Sequence, residues 1–381
     1  MRAVFPPDRL AVSALFLMNG FLVGSWAPKI PEFKARFDLS EGELGLMIVV
    51  FGVGSLILMP LAGAMIARRG SSAVVKALAV LCAPMLLWVT LAPVVWVAAC
   101  VVFLLGGVIG GMDVAMNANA VAVERGRRRA IMSSCHGFWS LGGLIGAGLG
   151  GVAIQMAGVM GQAVFVTLVA TAVLAFAWRH IRLDGPAPGE RARLRLPTSA
   201  FPYLVGLMAL FSMIPEGAVL DWAALYLRQE MAADVAASGL AFGAFSATMA
   251  TVRFLGDPIR ERLGAVRTLR LSAGISICGM VAAGLATDPA FAIVGFAAAG
   301  IGIANMVPIA FSAAGNAPGL APGIGLSVVT TMGYAGILFA PSVIGFVAEF
   351  TSFSRIFTFL PVLFLVVVAL SRMARHADFD G

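Results

Sequence analysis

Apolar residues run along this chain in blocks of twenty or more, separated by short polar turns. A bilayer core about 30 Å thick takes roughly 20 apolar residues per spanning helix. On that ruler the pattern predicts twelve helices, near residues 8–30, 43–67, 73–91, 94–122, 130–155, 160–180, 200–226, 237–258, 266–286, 289–313, 322–348 and 353–373. One long polar break, IRLDGPAPGERARLRLPTS at 181–199, reads as a linker between two six-helix halves, residues 1–180 and 200–381. The first block is long, follows Pro6 and Pro7 and lacks a small-residue cleavage site, so it is expected to stay as a helix rather than be removed as a signal peptide.

Composition agrees. Of 381 residues 60% are hydrophobic and only 12% charged, and the mean hydropathy is +0.97, more apolar surface than one soluble core buries. The expected class is an all-α, multi-pass membrane protein. A net charge of +7 would suit nucleic acid, but its distribution argues for topology instead. With the N-terminus inside, one side collects Arg2, Arg9, Arg68, Arg69, Lys76, Arg125, Arg127 to Arg129, Arg179, Arg182, Arg191, Arg193, Arg195, Arg260, Arg262, Arg267, Arg270, Arg372 and Arg375. Lys29, Lys34, Arg36, Arg228 and Arg355 fall outside, and Arg253 lies within a helix. That asymmetry predicts both termini in the cytoplasm and no nucleic-acid partner. Cys82, Cys100, Cys135 and Cys278 show no CxxC spacing and read as packing residues, with no disulfide or metal expected. No GxxxxGK[ST] run and no nucleophile with its base are present, which argues against ATP as driver, against an enzyme and against a cofactor.

The halves repeat. LFLM at 15–18 matches LFSM at 210–213, Trp26-Ala27 matches Trp222-Ala223, ARRG at 67–70 matches ERLG at 261–264, and Gly142 and Gly151 match Gly336 and Gly345. Offsets of 194 to 196 at four separated places indicate two parallel repeats, whose interface is the expected position of a binding site near the membrane midplane. The twelve-helix plan, the basic linker and the turn GAMIARRGSS (63–72) resemble the major facilitator superfamily. Of the family's Gly-x-Leu-Ala-Asp-Arg-x-Gly-Arg-Lys pattern, Gly63, Arg68 and Gly70 match, while Ala67, Ser71 and Ser72 depart from it. The second copy, DPIRERLGAVR (257–267), keeps Glu261, Arg262 and Gly264. MDVAMN, SCHGFWSLG, EGAVLDW and GYAGILFAP are similar to the bacterial branch related to fucose permease. The resemblance implies a monomeric transporter of the bacterial inner membrane in contact with membrane lipid, a sugar or polyol as substrate, and a gating role for the two turns.

The polar residues inside the apolar blocks carry the candidate chemistry. Asp113 lies twelve residues before Arg125, roughly 18 Å along a helix and thus near the midplane. A carboxylate there costs about 2.5–3.5 kcal/mol on insertion scales, so it should face a cavity or a partner, where it can take up and release a proton. Asn117 shares its face at i+4, whereas Asn119 points elsewhere. His136, about seven residues past Arg129 on the antiparallel neighbour, reaches the depth of Asn117, so Asp113, Asn117 and His136 form one polar patch if those faces meet. His136 suits either proton handling or substrate hydrogen bonding. In the seventh helix Pro215 is expected to break the helix just before Glu216, the second protonation candidate, and Asp221 is either an outer-gate ion-pair partner or solvated. Asn19, Asn117, His136, Trp139, Asn305 and Tyr334 are candidate substrate contacts, Asn305 as the approximate counterpart of Asp113. Trp26 and Trp222 read as ligand stackers or interfacial anchors. Arg253 has Asp257 at i+4 and would pair locally or snorkel. With Arg68, Glu261 and Arg262 it is the candidate inner gate. The runs GGVIGG (106–111) and GGLIGAGLGG (142–151) would let the fourth and fifth helices approach closely. The second run also resembles the fifth-helix motif of drug/proton antiporters, with Ala147 in place of its proline.

The expected function is therefore proton-coupled movement of a small polar metabolite by alternating access. Two other readings stay open: an efflux antiporter for drugs or metabolites, and a membrane sensor that binds ligand without flux.

Overall fold

The computed structural model describes residues 6–185, 197–233, 235–317, 320 and 322–378. Arg2, Arg191, Arg193, Arg195 and most of the predicted linker lie outside the described residues. The described chain is helical throughout: α1 (Pro7–Trp26), α2 (Ile30–Arg36), α3 (Glu41–Arg69), α4 (Ser71–Cys82), α5 (Met85–Leu91), α6 (Val95–Arg127) and α7 (Met132–Trp178) in the first half. There follow α8 (Phe201–Glu230), α9 (Val235–Leu263), α10 (Ala265–Gly284), α11 (Pro289–Ile303), α12 (Met306–Gly315), α13 (Pro322–Phe350), α14 (Phe353–Phe359) and α15 (Val362–Leu370).

Ten stretches of the described residues are long and apolar enough to cross a membrane. Two features reconcile ten with the twelve of the hydropathy pattern. The predicted fifth and sixth helices are joined in the 47-residue α7, which is broken internally at Gly158 (φ 69°, ψ 178°), a conformation that glycine adopts readily. The predicted eighth helix is α9, a continuous helix that is not among the ten.

By contacts the chain divides into two compact units. The first comprises Met1–Ile131, Cys135–Pro197 and Gly319–Ser327, the second Met132–Ser134, Thr198–Pro318 and Val328–Gly381. In the first unit a capping box starts α3: Ser40 Oγ accepts from Glu43 N, and the Glu43 carboxylate accepts from Ser40 N. Small residues then set the helix spacing, though between other helices than the sequence suggests. A methyl on Gly106 would overlap the Phe51 carbonyl of α3, and one on Gly142 the Leu17 carbonyl of α1. The two glycine runs therefore dock α6 on α3 and α7 on α1 instead of joining the fourth and fifth helices. Lys29, counted as an outer charge, is fully buried and donates to the Val159 carbonyl beside the Gly158 break and to Gln162 Oε1. Cys100 and Cys278, expected in packing contacts, are exposed on their helices.

In the second unit, Tyr226 of α8 donates to the Ala283 carbonyl at the end of α10 and packs against Phe296 and Phe357. The buried guanidinium of Arg260 donates to the Ala377 carbonyl.

One device recurs in both units. Gly70 (φ 82°) and Gly264 (φ 77°) make the sharp turns before α4 and α10. Each next helix begins under a carboxylate from the end of its own half: Asp184 accepts from Ser71 N and Ser72 N, and Asp378 accepts from Ala265 N. Both the glycines and the aspartates are 194 residues apart. A carboxylate at a helix N-terminus satisfies orphan N–H groups and opposes the positive end of the helix dipole.

Candidate functional site

Three helices of the first unit bring polar side chains together. Asp113 and Asn117 are one turn apart on α6, and both are buried. Asn117 Nδ2 donates to the Asp113 main-chain carbonyl at 2.9 Å, which turns Asn117 Oδ1 toward α7. There it lies 3.3 Å from His136 Nε2. An amide oxygen only accepts, so in this arrangement Nε2 carries the proton. The imidazole in turn packs against Phe16 of α1, with ring centroids 5.3 Å apart. One turn along α7, Trp139 Nε1 donates to Asn19 Oδ1 at 2.9 Å, and Asn19 Nδ2 donates back to the Ile109 carbonyl of α6. Glycine permits this contact, since a methyl on Gly20 would overlap the Trp139 carbonyl.

Asn19, Asn117, His136 and Trp139 are thus linked across α1, α6 and α7, and Asp113 stands beside them with Oδ2 buried and without a hydrogen-bond partner. No cation pairs with it among the described residues. Asn119, pointing away, ties Ser71 Oγ to the Arg182 carbonyl.

The second unit is built differently. Glu216 of α8 forms an ion pair with Arg253 of α9 at 3.3 Å, with the guanidinium 6% and the carboxylate 21% exposed. Arg253 Nε also reaches the Ala304 carbonyl at 3.5 Å. Pro308 explains why that oxygen is available: lacking an N–H, it cannot bond to the carbonyl four residues earlier, and α11 gives way to α12 between Ala304 and Asn305. The expected break at Pro215 is absent, and α8 runs unbroken through that residue. Arg253 is buried, so it does not snorkel. Asp257 accepts from Ser133 N and Ser134 N at 2.9 and 3.0 Å, which places Met132–Ser134 in the second unit.

The remaining candidates are dispersed. Asn305, buried at the helix break, leaves Oδ1 without a hydrogen-bond partner against Gly256. Tyr334 is half-buried on α13. Asp221 is exposed and makes no ion pair among the described residues. Arg68, Glu261 and Arg262 are exposed at the two turns. Trp222 stacks on Phe353 and Trp26 packs edge-on against Phe33. Glu124 has no distinguishing mark in the sequence, yet it is fully buried and accepts from Ile131 N to close the turn between α6 and α7.

The sequence profile of the Major Facilitator Superfamily matches residues 11–215, more than half of the chain. The chain belongs to the Major Facilitator Superfamily. An uncharacterised MFS-type transporter of Yersinia pestis is 35% identical over 368 residues, covering 96% of this chain and 95% of the relative. The membrane protein MosC of Rhizobium meliloti is 30% identical over 377 residues, covering 96% and 90%. Among solved structures, the E. coli fucose:proton symporter FucP superposes with a TM-score of 0.78 at 15% identity, over 96% of this chain and 97% of that one. The proton:xylose symporter XylE gives 0.71 at 12% identity, over 97% and 94%. At such identities the superpositions establish the shared superfamily fold, and the chain is a multi-pass transporter with bacterial relatives.

Proposed function

We propose that this transporter is a proton-coupled carrier of a small polar metabolite of the sugar or polyol class. In this reading it sits in the bacterial inner membrane with both termini in the cytoplasm, and it works as a monomer. The observation that carries it is Asp113: a buried carboxyl without a cation, next to a hydrogen-bonded set of two amides, an imidazole and an indole. Amides and imidazole both donate and accept, which suits hydroxyl groups, and an indole face suits the C–H face of a sugar ring. A carboxyl in such a place is tolerated because it is charged in one step of the cycle and neutral in another. Glu216 couples in another way, since its protonation releases Arg253.

The names of FucP and XylE, a fucose and a xylose symporter, support this substrate class. The test begins with thermal stability of the purified protein against sugars, polyols, amino acids, organic acids and lipophilic cations, because a ligand of the folded state raises its apparent stability. A shift with a polar metabolite, lost in Asn117→Ala, followed by pH-gradient-driven uptake in proteoliposomes, is the expected result. Shifts confined to lipophilic cations would replace it with efflux.

A further inference from the structure

The second unit carries a groove of about 590 Å³ between α10 and α11 that transport leaves unexplained. Gly274, Ile275 and Cys278 of α10 and Phe291 and Val294 of α11 line it, and Arg270 closes one end. It is recessed because of missing side chains: nothing lies within 4 Å of where a methyl on Gly274 would stand. From Arg270 to Ala282 the lining covers twelve residues, roughly 18 Å of helix. One leaflet is half of a core about 30 Å thick, so the groove is as long as one acyl chain is deep.

The closed end is cationic and held in place. Arg270 donates through Nε to Ser371 Oγ at 2.8 Å, which leaves both terminal nitrogens for another acceptor. No carboxylate among the described residues pairs with Arg270. Arg267, one turn earlier on the same side of α10, and Arg372, next to Ser371, are also exposed. A long apolar recess ending in one held guanidinium, with two further exposed arginines close in the chain, is complementary to one molecule: a lipid with an anionic phosphate head and a hydrocarbon tail. We propose that this groove is a specific site for an anionic glycerophospholipid, with one acyl chain along Gly274 and Cys278 and the phosphate on Arg270.

Native mass spectrometry of the delipidated full-length protein, titrated with phosphatidylglycerol or phosphatidylcholine, tests this. One phosphatidylglycerol is expected to bind at least about tenfold more tightly than phosphatidylcholine, whose phosphate is offset by a fixed choline cation that the guanidinium groups repel. Arg270→Gln should erase that preference. Ser371→Ala, which keeps the guanidinium, should retain most of it. Gly274→Leu, which fills the recess, should weaken both lipids. Equal binding of the two lipids by the wild type, or full phosphatidylglycerol binding by Gly274→Leu, would overturn the proposal. Should Gly274→Leu fail to fold, N-ethylmaleimide labelling of the wild type takes its place. Phosphatidylglycerol must then slow alkylation of Cys278 and leave the exposed Cys100 unaffected; equal rates at Cys278 with and without lipid would also overturn it.

Discussion

The two units solve the same folding problem with shared hardware and furnish their interiors differently. Each has a positive-φ glycine turn, Gly70 or Gly264, and an aspartate over the next helix, Asp184 or Asp378. Inside the first, the Asp113 carboxyl stands beside amide, imidazole and indole groups. Inside the second, the carboxyl is already matched by Arg253. A duplicated scaffold tolerates such divergence because its stability lies in the helix packing and the caps, while the polar interior is free to specialise. The first unit holds a buried carboxyl beside amide, imidazole and indole groups, the second a buried ion pair.

The largest effects should come from breaking this asymmetry. Asp113→Asn removes the titrating group but keeps its shape. It should abolish pH-gradient-driven accumulation in proteoliposomes while substrate exchange at zero gradient continues. Accumulation that persists would end the coupling assignment. In the second unit, Glu216→Gln removes the carboxylate charge that faces the buried guanidinium of Arg253 and should destabilise the protein by about 3 kcal/mol, toward the low end for breaking a buried pair because the carboxylate is partly wet. Arg253→Gln strands only the wetter partner and should cost roughly half as much. Unfolding of both single variants and the double variant gives the coupling energy directly, and a double variant whose loss is the plain sum of the two single losses would show that the pair does not couple.

The matched glycines sharpen the comparison at smaller scale. Gly142 and Gly336 both face the first helix of their own half, but a methyl on Gly142 meets the backbone of Leu17 and Phe21, whereas one on Gly336 meets side-chain ends of Leu210 and Ile214. Backbone cannot step aside as a side chain can. Gly142→Ala should cost about 1–3 kcal/mol, and Gly336→Ala under about 1 kcal/mol. Equal losses of thermal stability would show that packing in the two units is equivalent after all.

What was legible in the sequence follows the range of the interactions. The joining of Asn117 and His136 could be read because both depths follow from counting residues to the nearest arginine, and the helices are neighbours in the chain. The partner of Arg253 could not, because Asp257 at i+4 offers a ready local alternative, while Glu216 reaches it only through packing of α8 on α9. A signal did exist: Pro308 in the tenth predicted helix announces a freed carbonyl at Ala304, which a buried donor must satisfy. Burial of Lys29, Glu124 and Arg260 was invisible, since counting charges by loop assigns every basic residue to a membrane face whether or not its side chain is wet. The phospholipid groove has no sequence pattern, because it consists of absent side chains on two antiparallel helices.

The last predicted effect concerns the pair of aspartate caps, which look like ordinary polar residues until the fold places them. Asp184 accepts from Ser71 N at 2.9 Å and Ser72 N at 2.8 Å, and both oxygens of Asp378 accept from Ala265 N at 2.8 and 3.0 Å. Loss of a helix cap costs about 0.5–2 kcal/mol. Asp184→Ala and Asp378→Ala should therefore each cost about 0.5–2 kcal/mol on that scale. Asparagine at either position keeps an acceptor but loses the charge facing the helix dipole, so it should lie between wild type and alanine. Thermal unfolding of the four variants in one detergent checks the order. If asparagine proved as damaging as alanine at both turns, the charge opposite each helix dipole would be the larger part, and the retained acceptor would count for little.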